Sequence, residues 1–136
     1  MAGNSTFLLV SETQIKRAEV EFLPEEVRET ILTRYKVDGA ILSFEIHPSN
    51  EYLLVLSYRF LYVFKVANGE ICGKIPIKET CQDLVIDKSG LFCALIAQQS
   101  RKVYLYEVGT SRLVYEFNPQ LPLSDQFNLV PAVGTL

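Results

Sequence analysis

The sequence lacks tryptophan and has one histidine and three cysteines among its 136 residues. The cysteines are Cys72, Cys81 and Cys93; none forms a CxxC pair and their neighbours are mostly apolar. A disulfide framework or a zinc site needs paired cysteines at closer spacing. We therefore expect reduced cysteines that behave as small core residues, as in a reducing compartment.

The sequence also lacks long runs of apolar or basic residues. No apolar stretch approaches the roughly 20 residues of a membrane helix, and the N-terminus has no positively charged segment before an apolar core. The formal net charge is −3, so a phosphate-binding or polybasic surface is not expected. These absences predict a cytoplasmic chain, with cytoskeletal, centriolar and ciliary sites as options, that is not secreted, does not bind nucleic acid and does not insert into membranes.

Motifs for catalysis and for cofactor or metal binding are missing too. His47 directly precedes Pro48 in a predicted turn, and no GxSxG or similar nucleophile motif accompanies it. We interpret His47 as a solvated turn residue. The acidic residues between positions 19 and 29 lack the glycine-containing loop of a calcium site and are followed by basic residues, which predicts a charge-balanced surface. We expect no enzyme activity, cofactor or metal.

What the chain does contain is a repeat. Residues 84–94 match residues 44–54 at an offset of 40 (84 minus 44), with apolar residues at equivalent places and a Ser-Gly turn opposite Ser-Asn. Residues 103–108 match residues 61–66 at an offset of 42 (103 minus 61), which places two extra residues in the preceding turn of the second copy. Loop insertions of this size are well tolerated.

Each copy is typical of four short strands. The predicted strands are 41–46, 52–56, 60–66 and 70–77 in the first copy, and 82–86, 91–97, 102–108 and 112–117 in the second. Asn68-Gly69 predicts a type I′ hairpin turn. Residues 52–56 and 91–96 are apolar on both faces, and no helical segment separates the strands to cover them. The pattern therefore predicts small antiparallel sheets stacked face to face.

The two ends are less regular. Residues 7–11 and 15–22 predict a hairpin of an earlier sheet, with residues 27–35 as its outer strand. The alternative for residues 23–35 is a short helix opened by Pro24 and the two acids after it, but the threonines and the tyrosine favour a strand. Residues 119–136 contain three prolines and no strand alternation, which predicts an irregular, partly disordered tail.

The repeat resembles the WD-repeat β-propeller family, whose unit has four strands in about 40 residues. The resemblance covers residues 40–117 well and residues 7–38 weakly. It is carried by Phe44-Glu45-Ile46-His47-Pro48-Ser49-Asn50 at the first turn, and by Phe64-Lys65 and Tyr106-Glu107 in place of the family's Trp-Asp pair.

The family's Gly-His pair is replaced by residues 36–39 in one copy and 78–80 in the other. Its hydrogen-bonded tetrad is therefore not expected, although Ser57 could hold the serine place. The resemblance implies an all-β fold of antiparallel four-stranded blades, two clear and one partial. The expected units are a partial blade over 1–38, blades over 39–79 and 80–118, and the tail over 119–136.

The resemblance implies a non-catalytic protein-interaction scaffold that binds through loops at the ends of its strands. Tyrosine and arginine are frequent in interface hot spots, so the expected partner-binding residues are Tyr58, Arg59 and Arg101. A closed propeller has at least four blades, which implies a fragment or short isoform of a larger propeller, or a ring completed by another chain. The alternative is a small ligand-binding β-barrel or minor enzyme with a pocket between its sheets.

Overall fold

The computed structural model describes residues 3–118 as eleven β-strands in three antiparallel sheets, with no helix in that range. The first sheet has the order β1-β2-β3, the second β4-β5-β6-β7 and the third β8-β9-β10-β11. The predicted all-β class, with two four-stranded sheets and one partial sheet, is confirmed. The bounds are β1 Gly3–Val10, β2 Ile15–Phe22, β3 Val27–Tyr35, β4 Ile41–Ile46, β5 Tyr52–Ser57, β6 Phe60–Lys65, β7 Ile71–Pro76, β8 Cys81–Ile86, β9 Phe92–Ala97, β10 Val103–Glu107 and β11 Arg112–Phe117. The predicted tail, 119–136, lies outside the described residues.

The first sheet resolves the choice between strand and helix after Pro24. Residues 27–35 form β3, which pairs with β2 from Phe22↔Val27 to Ile15↔Tyr35. Pro24 lies in the β2–β3 turn, which is closed by a 2.9 Å hydrogen bond from the backbone N–H of Leu23 to the carbonyl of Glu26. A strand forms because β-branched residues in β3 pair along the whole length of β2.

The turns of the second and third sheets repeat in backbone geometry. Asn50 and Gly90 hold positive φ, at 63° and 79°, in equivalent β4–β5 and β8–β9 turns. In the β6–β7 turn Gly69 has a φ of 73° whereas Asn68 is not in the positive region, so the predicted type I′ turn was wrong. The turn is longer than predicted: the Gly69 N–H donates to the carbonyl of Lys65, four residues back.

The second sheet lies between the other two and is covered on both faces. In β5, Leu53 and Val55 pack in a core shared with the first sheet, while Leu54 and Leu56 pack in a core shared with the third. All four side chains are fully buried, which confirms that the apolar run at 52–56 needs cover on both sides. The core with the first sheet comprises Ile15, Tyr35, Leu53, Val55, Tyr62 and Phe64. The core with the third comprises Leu54, Leu56, Leu61, Val63, Cys81, Leu84, Ile86, Cys93, Leu95, Ala97, Tyr104 and Tyr106.

The two outer faces of the stack carry exposed apolar side chains. On the first sheet Phe7 and Ile31 pair with Ala18 and are 44% and 39% exposed. On the third sheet Tyr115 and Phe117 are 59% and 51% exposed. Among residues 3–118 the sheets remain three separate stacked units and do not close into a barrel, so the barrel alternative is not the architecture that these residues form.

Candidate partner-binding surface

The β5–β6 turn presents Tyr58 and Arg59 to solvent from a rigid base. Ser57 is fully buried, and its hydroxyl accepts the Phe60 N–H and donates to the Phe60 carbonyl, both at 3.1 Å. The Arg59 carbonyl accepts the N–H of Ile77 at 2.9 Å. The backbone of this turn is therefore fixed from both sides, while the Tyr58 side chain is 53% exposed and that of Arg59 is also exposed.

The equivalent β9–β10 turn carries Arg101 and is two residues longer. Arg101 has a φ of 62° and is partly buried. The Ser100 hydroxyl accepts the N–H of Lys102 at 3.2 Å, and the N–H of Gln98 donates to the carbonyl of Thr80 at 2.9 Å. The extra residues thus build an ordered loop that is hydrogen-bonded to the chain entering β8.

The loops that enter β4 and β8 are held by two equivalent tyrosines. The Tyr62 hydroxyl accepts the N–H of Asp38 at 3.1 Å. The Tyr104 hydroxyl donates to Glu79 Oε2 at 2.5 Å, and the Ser100 hydroxyl donates to Glu79 Oε1 at 2.8 Å. The hydrogen bond from Tyr104, followed by that from Ser100, holds the pKa of Glu79 below its usual range. Burial, reinforced by Glu79, raises the pKa of Tyr104.

The Glu79–Tyr104–Ser100 contacts join the chain before β8 to β10 and to the β9–β10 turn. Sequence comparison with WD repeats did not predict this group, because glutamate and tyrosine stand where the family pattern has other residues. The signal that was available is the match of Tyr62 with Tyr104 at an offset of 42 (104 minus 62). Ser57, the expected substitute for the tetrad serine, instead bonds only within its own turn among the described contacts.

Tyr58, Arg59 and Arg101 thus lie in equivalent turns at the same end of adjacent sheets. Strand direction also brings the loops containing Asp38 and Glu79 to this end. The structure fixes each turn by its own hydrogen bonds. These turns form a rigid base with one aromatic and two basic side chains at its rim.

The opposite end of the second and third sheets contains the lone histidine. His47 Nε2 lies 2.8 Å from the carbonyl oxygen of Gly90, and Nδ1 lies 2.8 Å from the Ser49 hydroxyl. His47 is therefore a partly buried bridge between the β4–β5 and β8–β9 turns, and not the solvated residue expected from sequence. It borders an open cavity of about 420 Å³ between the two sheets, whose walls include Tyr52, Phe92 and Glu107.

The cysteines differ in environment. Cys81 and Cys93 are buried free thiols, and burial raises the pKa of each to about 12, so both stay protonated at neutral pH. Cys72 is free and exposed, so the expectation of a core side chain is wrong for this residue. The two buried residues therefore act as core side chains between the second and third sheets, as expected for inert thiols.

Within residues 3–118, no cluster of three or more histidine, cysteine, aspartate or glutamate side chains is placed to hold a metal ion. None of these residues forms a membrane-spanning helix.

Comparison with solved structures places this stack of sheets in a known fold. The C-terminal WD40 domain of Sif2 superposes with a TM-score of 0.64 and 8% sequence identity, over 79% of this chain and 31% of that one. U3-55K, a WD-repeat protein, superposes with a TM-score of 0.55 and 14% identity, over 58% of this chain and 26% of that one. The chain has a WD-repeat propeller fold. No protein-family model and no curated protein matches the sequence.

At identities of 8% and 14% the likeness concerns the fold alone. The chain spans less than a third of either structure, at 31% and 26% of their lengths. Its three sheets therefore correspond to part of a propeller of the size seen in these structures.

Proposed function

We propose that this chain is a non-catalytic protein-interaction scaffold that binds a partner through the turns containing Tyr58, Arg59 and Arg101. The observation that carries the proposal is the anchoring of both turns by hydrogen bonds from Ser57 and Ser100. A fixed backbone lowers the entropic cost of binding. Exposed tyrosine and arginine side chains are the types that dominate binding energy at interfaces.

We further propose that the stack is part of a larger ring in the cytoplasm. The exposed Phe7 and Ile31 on one outer face, and Tyr115 and Phe117 on the other, support this. In a propeller each inner face is covered by the next blade. The chain would then act as a fragment or short isoform of a larger propeller, or join another chain that supplies further blades. The proposed units remain the partial blade 1–38 and the blades 39–79 and 80–118.

The test of the partner surface is a quantitative affinity capture with the full chain. Wild type is compared with the triple variant Tyr58→Ala, Arg59→Ala, Arg101→Ala, and captured proteins are measured by isotope-labelled mass spectrometry. We expect at least one partner enriched by the wild type to fall about tenfold or more with the triple variant, because a hot-spot side chain contributes about 2 kcal/mol or more.

The matched control carries three substitutions of exposed residues at the opposite end of the strands, Arg28→Ala, Lys88→Ala and Leu91→Ala. Circular dichroism of both variants checks that the sheets persist. Retention of every wild-type partner by the folded triple variant would rule out this surface.

A further inference from the structure

Arg17 lies at the boundary between the first and second sheets. It is the third residue of β2, pairs with Leu8 of β1 and Thr33 of β3, and points toward the second sheet. Its Nη2 donates to the Thr33 hydroxyl at 3.0 Å and to the Ala67 carbonyl at 3.2 Å. Both of these acceptors are neutral groups.

The hydrogen bonding of Arg17 is incomplete. Its Nε atom is enclosed by the protein and has no hydrogen-bond partner among the described residues. The ion pairs found within residues 3–118 involve other cations, namely Lys16, Arg28, Lys65, Lys78 and Lys102. A partly buried guanidinium is normally stabilised by a carboxylate that accepts from two of its N–H groups. In this chain that carboxylate is missing from the described ion pairs.

Arg17 borders two cavities. One has a volume of about 510 Å³ and is lined by the ends of β5 and β6 and by the β6–β7 turn, including Tyr52, Lys65 and Val66. The other has a volume of about 200 Å³ and is walled by Leu8, Ile46 and Leu53. The cation therefore lies between a groove that is open to solvent and contains charged side chains, and an apolar recess. We name the two together the Arg17 groove.

Two cations, Arg17 and Lys65, line the groove, and Lys65 is already paired with a carboxylate. Lys65 Nζ lies 3.4 Å from Glu70, and the hydrogen bond with Glu70 raises the pKa of Lys65, so it stays charged at the rim. Glu51 also lines the larger cavity and limits how many acids a ligand can place there.

We propose that the Arg17 groove binds a partner protein through an extended acidic peptide, whose glutamate or aspartate carboxylate pairs with Arg17 while an adjacent apolar side chain enters the recess. The site is at the end of the second sheet opposite Tyr58 and Arg59, since Lys65 is the last residue of β6 and Ala67 follows it in the β6–β7 turn. It is thus a second binding site, independent of the proposed partner surface.

The test uses fluorescence polarisation with the full chain and three short labelled peptides of alternating alanine and leucine. They differ only at the central residue, which is glutamate, glutamine or phosphoserine. We expect the glutamate peptide to bind about tenfold more tightly than the glutamine peptide, since a charge-assisted hydrogen bond is stronger than a neutral one. Arg17→Gln is expected to abolish that difference, and the control Arg28→Gln to preserve it.

Equal binding of the glutamate and glutamine peptides would overturn the proposal, as would a preference that survives in Arg17→Gln. Tighter binding of the phosphoserine peptide than of the glutamate peptide would replace it with a phosphate site. If Arg17→Gln fails to fold, the proposal is tested by NMR titration of the wild-type chain with the same peptides. The Arg17 Nε–H resonance must shift saturably with the glutamate peptide and not with the glutamine peptide, and an unmoved resonance overturns the proposal.

Discussion

Tyr62 and Tyr104 each provide a hydrogen bond where WD repeats have their hydrogen-bonded tetrad. Each phenol holds the loop that enters the first strand of its sheet, Tyr62 through the N–H of Asp38 and Tyr104 through the carboxylate of Glu79. Sequence patterns predict buried aromatics at both positions. They do not predict which loop atom each hydroxyl reaches, because that depends on the path of a chain that lies 24 to 25 residues away.

Glu79 gives a prediction of pH dependence at the residue scale. Its pKa is lowered in the folded protein, chiefly by the Tyr104 hydrogen bond. The resulting stability is therefore present above the unfolded pKa and is lost as the pH falls through the folded pKa. In urea unfolding between about pH 6 and about pH 3, Glu79→Gln should lose stability less steeply than the wild type. The exposed Glu45→Gln is the control, and identical slopes in wild type and Glu79→Gln would refute the role of this carboxylate.

Gly90 gives a second residue-scale prediction. It has a φ of 79°, and a Cβ at this position would lie 2.5 Å from His47 Nε2. Gly90→Ala should lower the free energy of unfolding by about 2 kcal/mol or more, through backbone strain and displacement of the histidine.

The matched control for Gly90→Ala is Gly39→Ala, where φ is 95° but no atom lies within 4 Å of the added Cβ. It should cost about 1 kcal/mol, from backbone strain alone. Chemical denaturation of both variants measures the difference. Equal losses would show that the His47–Gly90 bridge contributes nothing.

At the scale of strands, the sequence predicts most of the described elements. The repeat offset and the doubly apolar runs locate β5 and β9, and the buried Leu53 and Leu54 confirm why such runs occur. The β6–β7 turn was predicted wrongly from sequence. Asn-Gly favours a two-residue turn, but the pairing of β6 with β7 contains an irregularity at Val63/Phe64 that changes the register. Register shifts occur at the equivalent places Ile41/Ser43 and Cys81/Asp83 in the second and third sheets. The residue types at these positions do not predict them.

Hydrogen exchange tests the layered arrangement of these strands. β5 and β6 are covered on both faces and paired on both edges, so their amides should exchange most slowly. The edge strands β7 and β11 should exchange faster by about tenfold or more, since local opening there exposes less apolar surface. Peptide-level mass spectrometry measures both. Uniform protection across the four strands of the second sheet would contradict the stacking described here.

At the scale of the whole molecule, the fold follows from the repeat, whereas the proposed Arg17 groove depends on contacts between sheets. Tyr58 and Arg59 could be proposed from sequence because equivalent turns share an end of the blades. Arg17 could not, because its significance depends on Thr33 and Ala67, which lie 16 and 50 residues away. From the sequence alone, a single arginine in an amphipathic strand is expected to be a surface residue. Its partial burial becomes apparent only when the position of the second sheet is known.

The measurement that tests the central claim most directly is the mass of the purified chain by size exclusion with light scattering, followed by a thermal melt. If these sheets are part of a propeller, their outer faces need further blades. We then expect an oligomer, an aggregate or a melt without cooperativity, because exposed Phe7, Ile31, Tyr115 and Phe117 favour association. A monomer with a sharp, cooperative melt would contradict it, since the three sheets would then be stable on their own.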